Sequence, residues 1–190
     1  MRGLLLSSLA LAACATGVMV ATPLRAQTRA GAHPYADASV GVGVDRLVCG
    51  RQCILSAPAA SGTLAAGIAS GAALRVGVEY TRYEIPQVAE YSGGRAQAAL
   101  VTVGVAPAAN RLPEFELRLA TGVLHVVRTS SARGDVTLDP HAPVFRVGIG
   151  YSVGSSHLRF IPTLDFLRTY RHGAVAYYAG QIALGLRWQQ

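Results

Sequence analysis

The hydrophobic pattern of this chain has a period of two along nearly all of its length. Val40, Val42 and Val44 alternate with Gly41, Gly43 and Asp45, and Leu64, Ala66 and Ile68 alternate with Thr63, Ala65 and Gly67. Leu74, Val76, Val78 and Tyr80 stand against Arg75, Gly77, Glu79 and Thr81, and Val101, Val103 and Val105 against Leu100, Thr102 and Gly104. The same beat continues through Phe115–Leu119, Phe145–Tyr151, Leu158–Phe166 and Ile182–Trp188. A two-residue period places alternate side chains on opposite faces of a strand. The pattern therefore predicts eight strands of about ten residues each. Tight connections fall at Ser70-Gly71 and Gly154-Ser155-Ser156, and a somewhat longer one at Ala106–Pro113. The segments Val48–Ala60, Glu84–Arg95 and Ser130–Pro143 read as long loops, and the stretch near Arg171–Gly173 as a short one. The one long charge-free window, Gln52–Leu74, holds Pro58 and several serines and glycines. Its continuous apolar part is shorter than the roughly 20 residues a helical membrane span needs.

Which face lies outside decides the class. The face opposite the Val, Leu, Ile, Phe and Tyr positions is mostly Gly and Ala, with isolated Arg, Glu and Asp. A water-exposed surface carries more charge than that, usually including Lys. This chain has 17 basic residues, all of them Arg. Inverting the sheet resolves the mismatch. The large apolar side chains face lipid, and the small and charged ones fill the lumen of a narrow barrel. The predicted fold is an all-β, eight-stranded, antiparallel up-and-down transmembrane β-barrel. Parity assigns Arg75, Arg118, Arg146, Arg159 and Arg187 to the lumen, against Asp45, Glu79, Glu116 and Asp165. Five positive groups against four negative ones suit a closed interior, because buried charges persist only when paired.

Residues 1–26 have the form of a secretory signal peptide: Met1-Arg2, an apolar stretch from Gly3 to Ala21, then Thr22-Pro23-Leu24-Arg25-Ala26. Cleavage after Ala26 leaves Gln27 first and removes Arg2 and Arg25, lowering the net charge from +7 to +5. That charge is too modest and scattered for a nucleic-acid partner. A competing reading treats Leu11-Ala12-Ala13-Cys14 as a lipobox with a lipid on Cys14. Residues 27–37 read as a short periplasmic segment and 38–188 as the barrel. Cys49 and Cys53 lie four positions apart in a chain bound for an oxidising compartment, so a small loop disulfide is expected, with two free thiols as the alternative. Tyr80, Tyr83, Tyr151, Phe166, Tyr170, Tyr177, Tyr178 and Trp188 fall near strand ends, where aromatic girdles form at membrane interfaces.

The leader, the eight alternating segments and the closing stretch Gln181-Ile182-Ala183-Leu184-Gly185-Leu186-Arg187-Trp188 resemble small bacterial outer-membrane β-barrel proteins of the OmpA/OmpX type. The resemblance covers about Ala38 to Trp188. It implies a bacterial outer-membrane location and insertion by the barrel-assembly machinery, which reads a last strand like Ile182, Leu184, Leu186 and Trp188. Gln189 and Gln190 follow the aromatic, a departure from the usual ending. Apart from the resemblance, the expected partners are outer-membrane lipid and, through the long loops, an extracellular ligand, and the barrel is expected to be a monomer.

Candidate chemistry is sparse. Gly150-Tyr151-Ser152-Val153-Gly154 matches G-x-S-x-G, but that motif needs a strand–turn–helix and no helix follows. Gly41-Val42-Gly43-Val44 is strand glycine, not a phosphate loop. His125, Ser130, Ser131, His141 and His172 fall on or beside the expected loops, with no spacing that specifies a Ser–His pair. The expected function is thus a filled, charge-paired barrel with a structural or surface-interaction role, without catalysis, cofactor or metal. An open porin is disfavoured, since an eight-stranded interior holds side chains and little else. The alternatives are a rim-active lipid-modifying enzyme and an exported soluble ligand carrier.

Overall fold

Eight strands form in chain order: β1 (Ala32–Cys49), β2 (Ile54–Ser70), β3 (Leu74–Ile85), β4 (Gly94–Val105), β5 (Glu114–Ser130), β6 (Gly134–Gly154), β7 (Leu158–Thr169) and β8 (Val175–Gln189). They come from a computed structural model that describes residues 31–49, 54–70, 73–86, 93–106, 114–130, 134–155, 157–170 and 175–190. Each strand pairs antiparallel with its sequence neighbour, and β1 closes on β8. Closure leaves no strand edge, so every strand finds hydrogen-bond partners on both sides.

The stagger of the barrel follows from its registers. A walk from Tyr35 along cross-strand partners passes Gly67, Gly77, Thr102, Ala120, Arg146, Leu167 and Ala179, and returns to β1 at Asp45, ten residues on. At a strand spacing of ~4.8 Å and a rise of ~3.3 Å, that stagger gives a tilt of about 40° and a backbone radius of about 8 Å. Side chains entering from opposite walls therefore meet near the axis. An even stagger also returns an inward residue to an inward position, so the alternation closes without a fault.

The outer wall is apolar. Val40, Val42, Leu64, Val78 and Ile182 are 62–70% exposed, and Leu184, Leu186 and Trp188 about half exposed. On β6 the outer apolar positions run from Val153 to Phe145. With the tilt above, that run rises about 20 Å along the axis, close to the ~25 Å apolar band of membrane barrels.

Several elements differ from the sequence expectation. The 38 boundary is too late: β1 begins at Ala32, so Tyr35 and Asp37 belong to the barrel, and β8 runs one residue past Trp188. The expected long loops at Val48–Ala60 and Ser130–Pro143 are largely strand, as β1–β2 and β5–β6 stay paired to Val48↔Ile54 and Ser130↔Gly134. Pairing continues there because an antiparallel hairpin satisfies its backbone whether or not its side chains alternate in polarity. Prolines mark the irregularities. The β5–β6 register shifts between Leu124↔Ala142 and Val126↔Leu138, next to Pro140. The β6–β7 ladder lapses between Gly150↔Thr163 and Val153↔Phe160, opposite Pro162. Proline has no N–H to donate to a ladder. At the β6–β7 turn Gly154 has a φ of 142°, a conformation side chains disfavour.

Candidate functional site: the filled lumen

All nine charged residues assigned inward by parity lie inside the ring. Asp45, Arg75, Glu79, Glu116, Arg146, Arg159, Asp165 and Arg187 are buried, and the Arg118 side chain is 17% exposed. Seven of the nine fall into two groups, Arg75, Glu116, Arg118 and Arg187 in one and Glu79, Arg146 and Asp165 in the other. The first lies toward the end that carries the chain termini. There Glu116 accepts from Arg75 Nη1 at 2.9 Å, Arg118 Nε at 3.1 Å and Arg187 Nη1 at 2.6 Å. Arg187 also grips Asp37 through Nε and Nη2, both at 2.7 Å, and Arg118 Nη2 stands 3.6 Å from the same carboxylate. Three guanidiniums thus share two carboxylates across β1, β3, β5 and β8. The Arg187 guanidinium also sits 5.4 Å from the Tyr35 ring centre.

The second group lies nearer mid-barrel. Arg146 pairs with Glu79 through two nitrogens, and Thr81 donates to the same carboxylate at 2.7 Å. Asp165 accepts from Thr163 at 3.0 Å and Gln181 at 3.4 Å. Glycines make this possible. A Cβ on Gly148 would collide with Asp165, and one on Gly104 would lie 2.7 Å from Glu116 Oε1. The small residues of the pattern are the space into which carboxylates fold.

Toward the other end the interior changes character. Leu47, Tyr83, Leu124, Val126, Val144, Leu167 and Tyr177 are each at most 2% exposed and form one cluster with Ala96, Ala98, Leu100, Ala120, Ala142 and Ala179. These residues come from β1, β3, β4, β5, β6, β7 and β8, so apolar side chains enter the bore from seven of the eight strands. Parity contained this feature: Leu124 shares its face with Arg118, and Leu167 with Asp165. It corrects the aromatic assignment at two positions. Tyr83 and Tyr177 lie inside the cluster, while Tyr80, Tyr151, Phe166, Tyr170 and Trp188 face outward. The interior is thus dominated by ion pairs toward the end with the termini and by apolar side chains toward the other, where Asp45 and Thr169 are also buried.

Asp37 is the ligand that sequence reading left out. It shares parity with Asp45 through Ser39, Gly41 and Gly43, but fell in the segment assigned to the periplasm. Ser152 points inward and is fully buried within β6, with no helix after it among the described residues. His125 is half-buried at the β5–β6 register shift. Ser130 and His141 lie in strands whose side chains there are not described. Cys53, Ser131, His172 and residues 1–30, with the leader and Cys14, fall outside the described residues, and so does the Cys49–Cys53 pairing. Ile182, Leu184, Leu186 and Trp188 all face outward on β8.

The barrel matches Neisserial surface protein A with a TM-score of 0.66 and 16% identity, over 83% of this chain and 98% of that one. The chain is similar to small eight-stranded outer-membrane barrels. Ail, the attachment invasion locus protein of Yersinia pestis, aligns with a TM-score of 0.58 and 8% identity, over 81% of this chain and 98% of that one. No protein-family model and no curated protein sequence matches the chain. At these identities the likeness is one of fold.

Proposed function

We infer that this chain is an integral protein of the bacterial outer membrane, exported by its N-terminal leader and inserted by the barrel-assembly machinery through the β8 pattern. Its role is structural or surface-interacting, and it is not an enzyme. One observation carries the reading: the outer wall presents large apolar side chains all round, while nine charged residues and Asp37 are turned inside. Exposing such a wall to water would be costly, at roughly 25 cal/mol per Å² of apolar surface. Hydrocarbon removes that cost, and a closed barrel presents lipid with no open strand edge. The apolar layer across the bore supports a stable wall element over a pore.

Fractionation tests the location. The protein should sediment with outer membranes, begin at Gln27, need detergent for solubility and show heat-modifiable gel mobility. A detergent-free soluble monomer would overturn the reading. Incubation with phospholipid and lipid A should release no product. Turnover abolished by His125→Ala or His141→Ala would make the protein an enzyme instead.

A further inference from the structure

The outer wall of β6, β7, β8 and β1 carries a groove whose distal end is cationic. Val147, Phe166, Gly180 and Val44 stand in register across these four strands. All four belong to the lining of a surface groove of about 580 Å³. Gly180 is its low point, and a Cβ built there would meet nothing within 4 Å. The next outward row, two residues further from the termini, is Phe145, Arg168, Tyr178 and Arg46. The Arg168 guanidinium lies 5.3 Å from the centre of the Tyr178 ring, which also packs at 6.5 Å against Phe166. Arg46 flanks Tyr178 from the other side, and both arginines are exposed.

These two cations differ from Arg82 in what stands beside them. Arg82, on the opposite side of the barrel, is paired with Glu84. Among the described residues no carboxylate pairs with Arg46 or Arg168, since neighbouring Asp45 and Asp165 point inward. Their Cα atoms stand two strand spacings apart, about 10 Å, a gap that two guanidinium side chains can bridge onto one anion or a pair of anions. An uncompensated cation pair directly above an apolar groove matches an amphiphile with an anionic head and a hydrocarbon tail. Guanidinium forks suit phosphate oxygens in particular.

We propose that this face binds a phosphate-bearing lipid of the membrane leaflet at the loop end, with its phosphate on Arg46 and Arg168 and an acyl chain lying over Gly180. The proposal rests on the outer-membrane reading, in which the termini are periplasmic and the loop end meets the external leaflet. Tyr178 holds Arg168 in place by stacking, and so acts as a positioning residue.

The test uses the full mature chain folded in zwitterionic micelles, with bound lipid counted by native mass spectrometry. The probes are diphosphoryl lipid A, the same lipid with its phosphates removed, and inorganic phosphate. Diphosphoryl lipid A should bind about tenfold or more tightly than the dephosphorylated form, and Arg46→Gln with Arg168→Gln should remove that preference. Gly180→Leu, which fills open space, should weaken both lipids alike, and Arg82→Gln should change neither. Inorganic phosphate should not compete, because it lacks the tail. Equal binding of the two lipids, or a preference that survives the double arginine variant, overturns the proposal. So does full competition by inorganic phosphate, which would indicate a simple anion site. Each variant is first checked for heat-modifiable mobility. A chain that folds as a soluble monomer without micelles would instead defeat the outer-membrane reading, a separate result.

Discussion

Replacing Glu116 by Gln is the sharpest perturbation of the lumen. The side chain keeps its shape and one acceptor oxygen but loses the charge that three guanidiniums share. Asp37 and Glu116 face Arg75, Arg118 and Arg187, a local excess of one positive charge that the substitution raises to two. Both Glu116 and Arg75 have side chains at most 3% exposed, so solvent cannot take over the lost partner. Breaking a buried pair from one side costs about 3–5 kcal/mol. At a slope of 1–3 kcal/mol per molar urea, the unfolding midpoint should fall by about 1 M or more. The single tryptophan, Trp188, faces outward and reports departure from the lipid by its fluorescence. Adding Arg75→Met to Glu116→Gln returns the excess to one, so the double variant should be more stable than Glu116→Gln alone. A loss below about 1 kcal/mol for Glu116→Gln, the size expected of an exposed pair, would refute this account of the lumen.

Other expectations follow from the same geometry. Glu84→Gln, which breaks the exposed Arg82–Glu84 pair, should cost no more than about 1 kcal/mol in the same unfolding assay. Leu184→Arg places a charge mid-band on the outer wall and should cost roughly 2–4 kcal/mol in lipid vesicles. Gly148→Val should cost about 1–3 kcal/mol, through its clash with Asp165, and a neutral result would show that the carboxylate has room to move. With Leu47, Tyr83, Leu124, Leu167 and Tyr177 buried in the bore from five strands, purified barrel in planar bilayers should show no steady ionic conductance; sustained single-channel currents would contradict a blocked bore.

The fold was legible because a transmembrane wall constrains every second residue. Once Val76 and Leu184 are set outward, Arg75 and Arg187 have only the inside to occupy, and chemistry need not be consulted. The ends of the strands were hidden for the converse reason. Beyond the apolar band neither face must be oily, so Ser56, Pro58 and Ala60 carry no beat, although they pair as regularly as the rest. Asp37 lies ahead of the first alternating apolar residues, where no pattern marks the start of β1, and Leu124 and Val144 look like ordinary hydrophobics unless their parity is followed past the arginines. The β5–β6 shift and the β6–β7 gap were marked by Pro140 and Pro162, but a proline shows only that a ladder is interrupted, not how the partner strand answers. The Arg46–Tyr178–Arg168 row joins three distant segments, and only the β7–β8 and β8–β1 registers bring it together.

The central claim is that the oily face is the outer one, and β8 tests it residue by residue. Single cysteines introduced at 182 to 186, in a chain otherwise free of cysteine, are spin-labelled in lipid vesicles, and collision with oxygen is compared with collision with a water-soluble nickel complex. Labels at Ile182, Leu184 and Leu186 should be oxygen-accessible and shielded from nickel, with low accessibility to both at Ala183 and Gly185. Nickel access at Ile182, Leu184 and Leu186, or the loss of the two-residue period, would contradict the account.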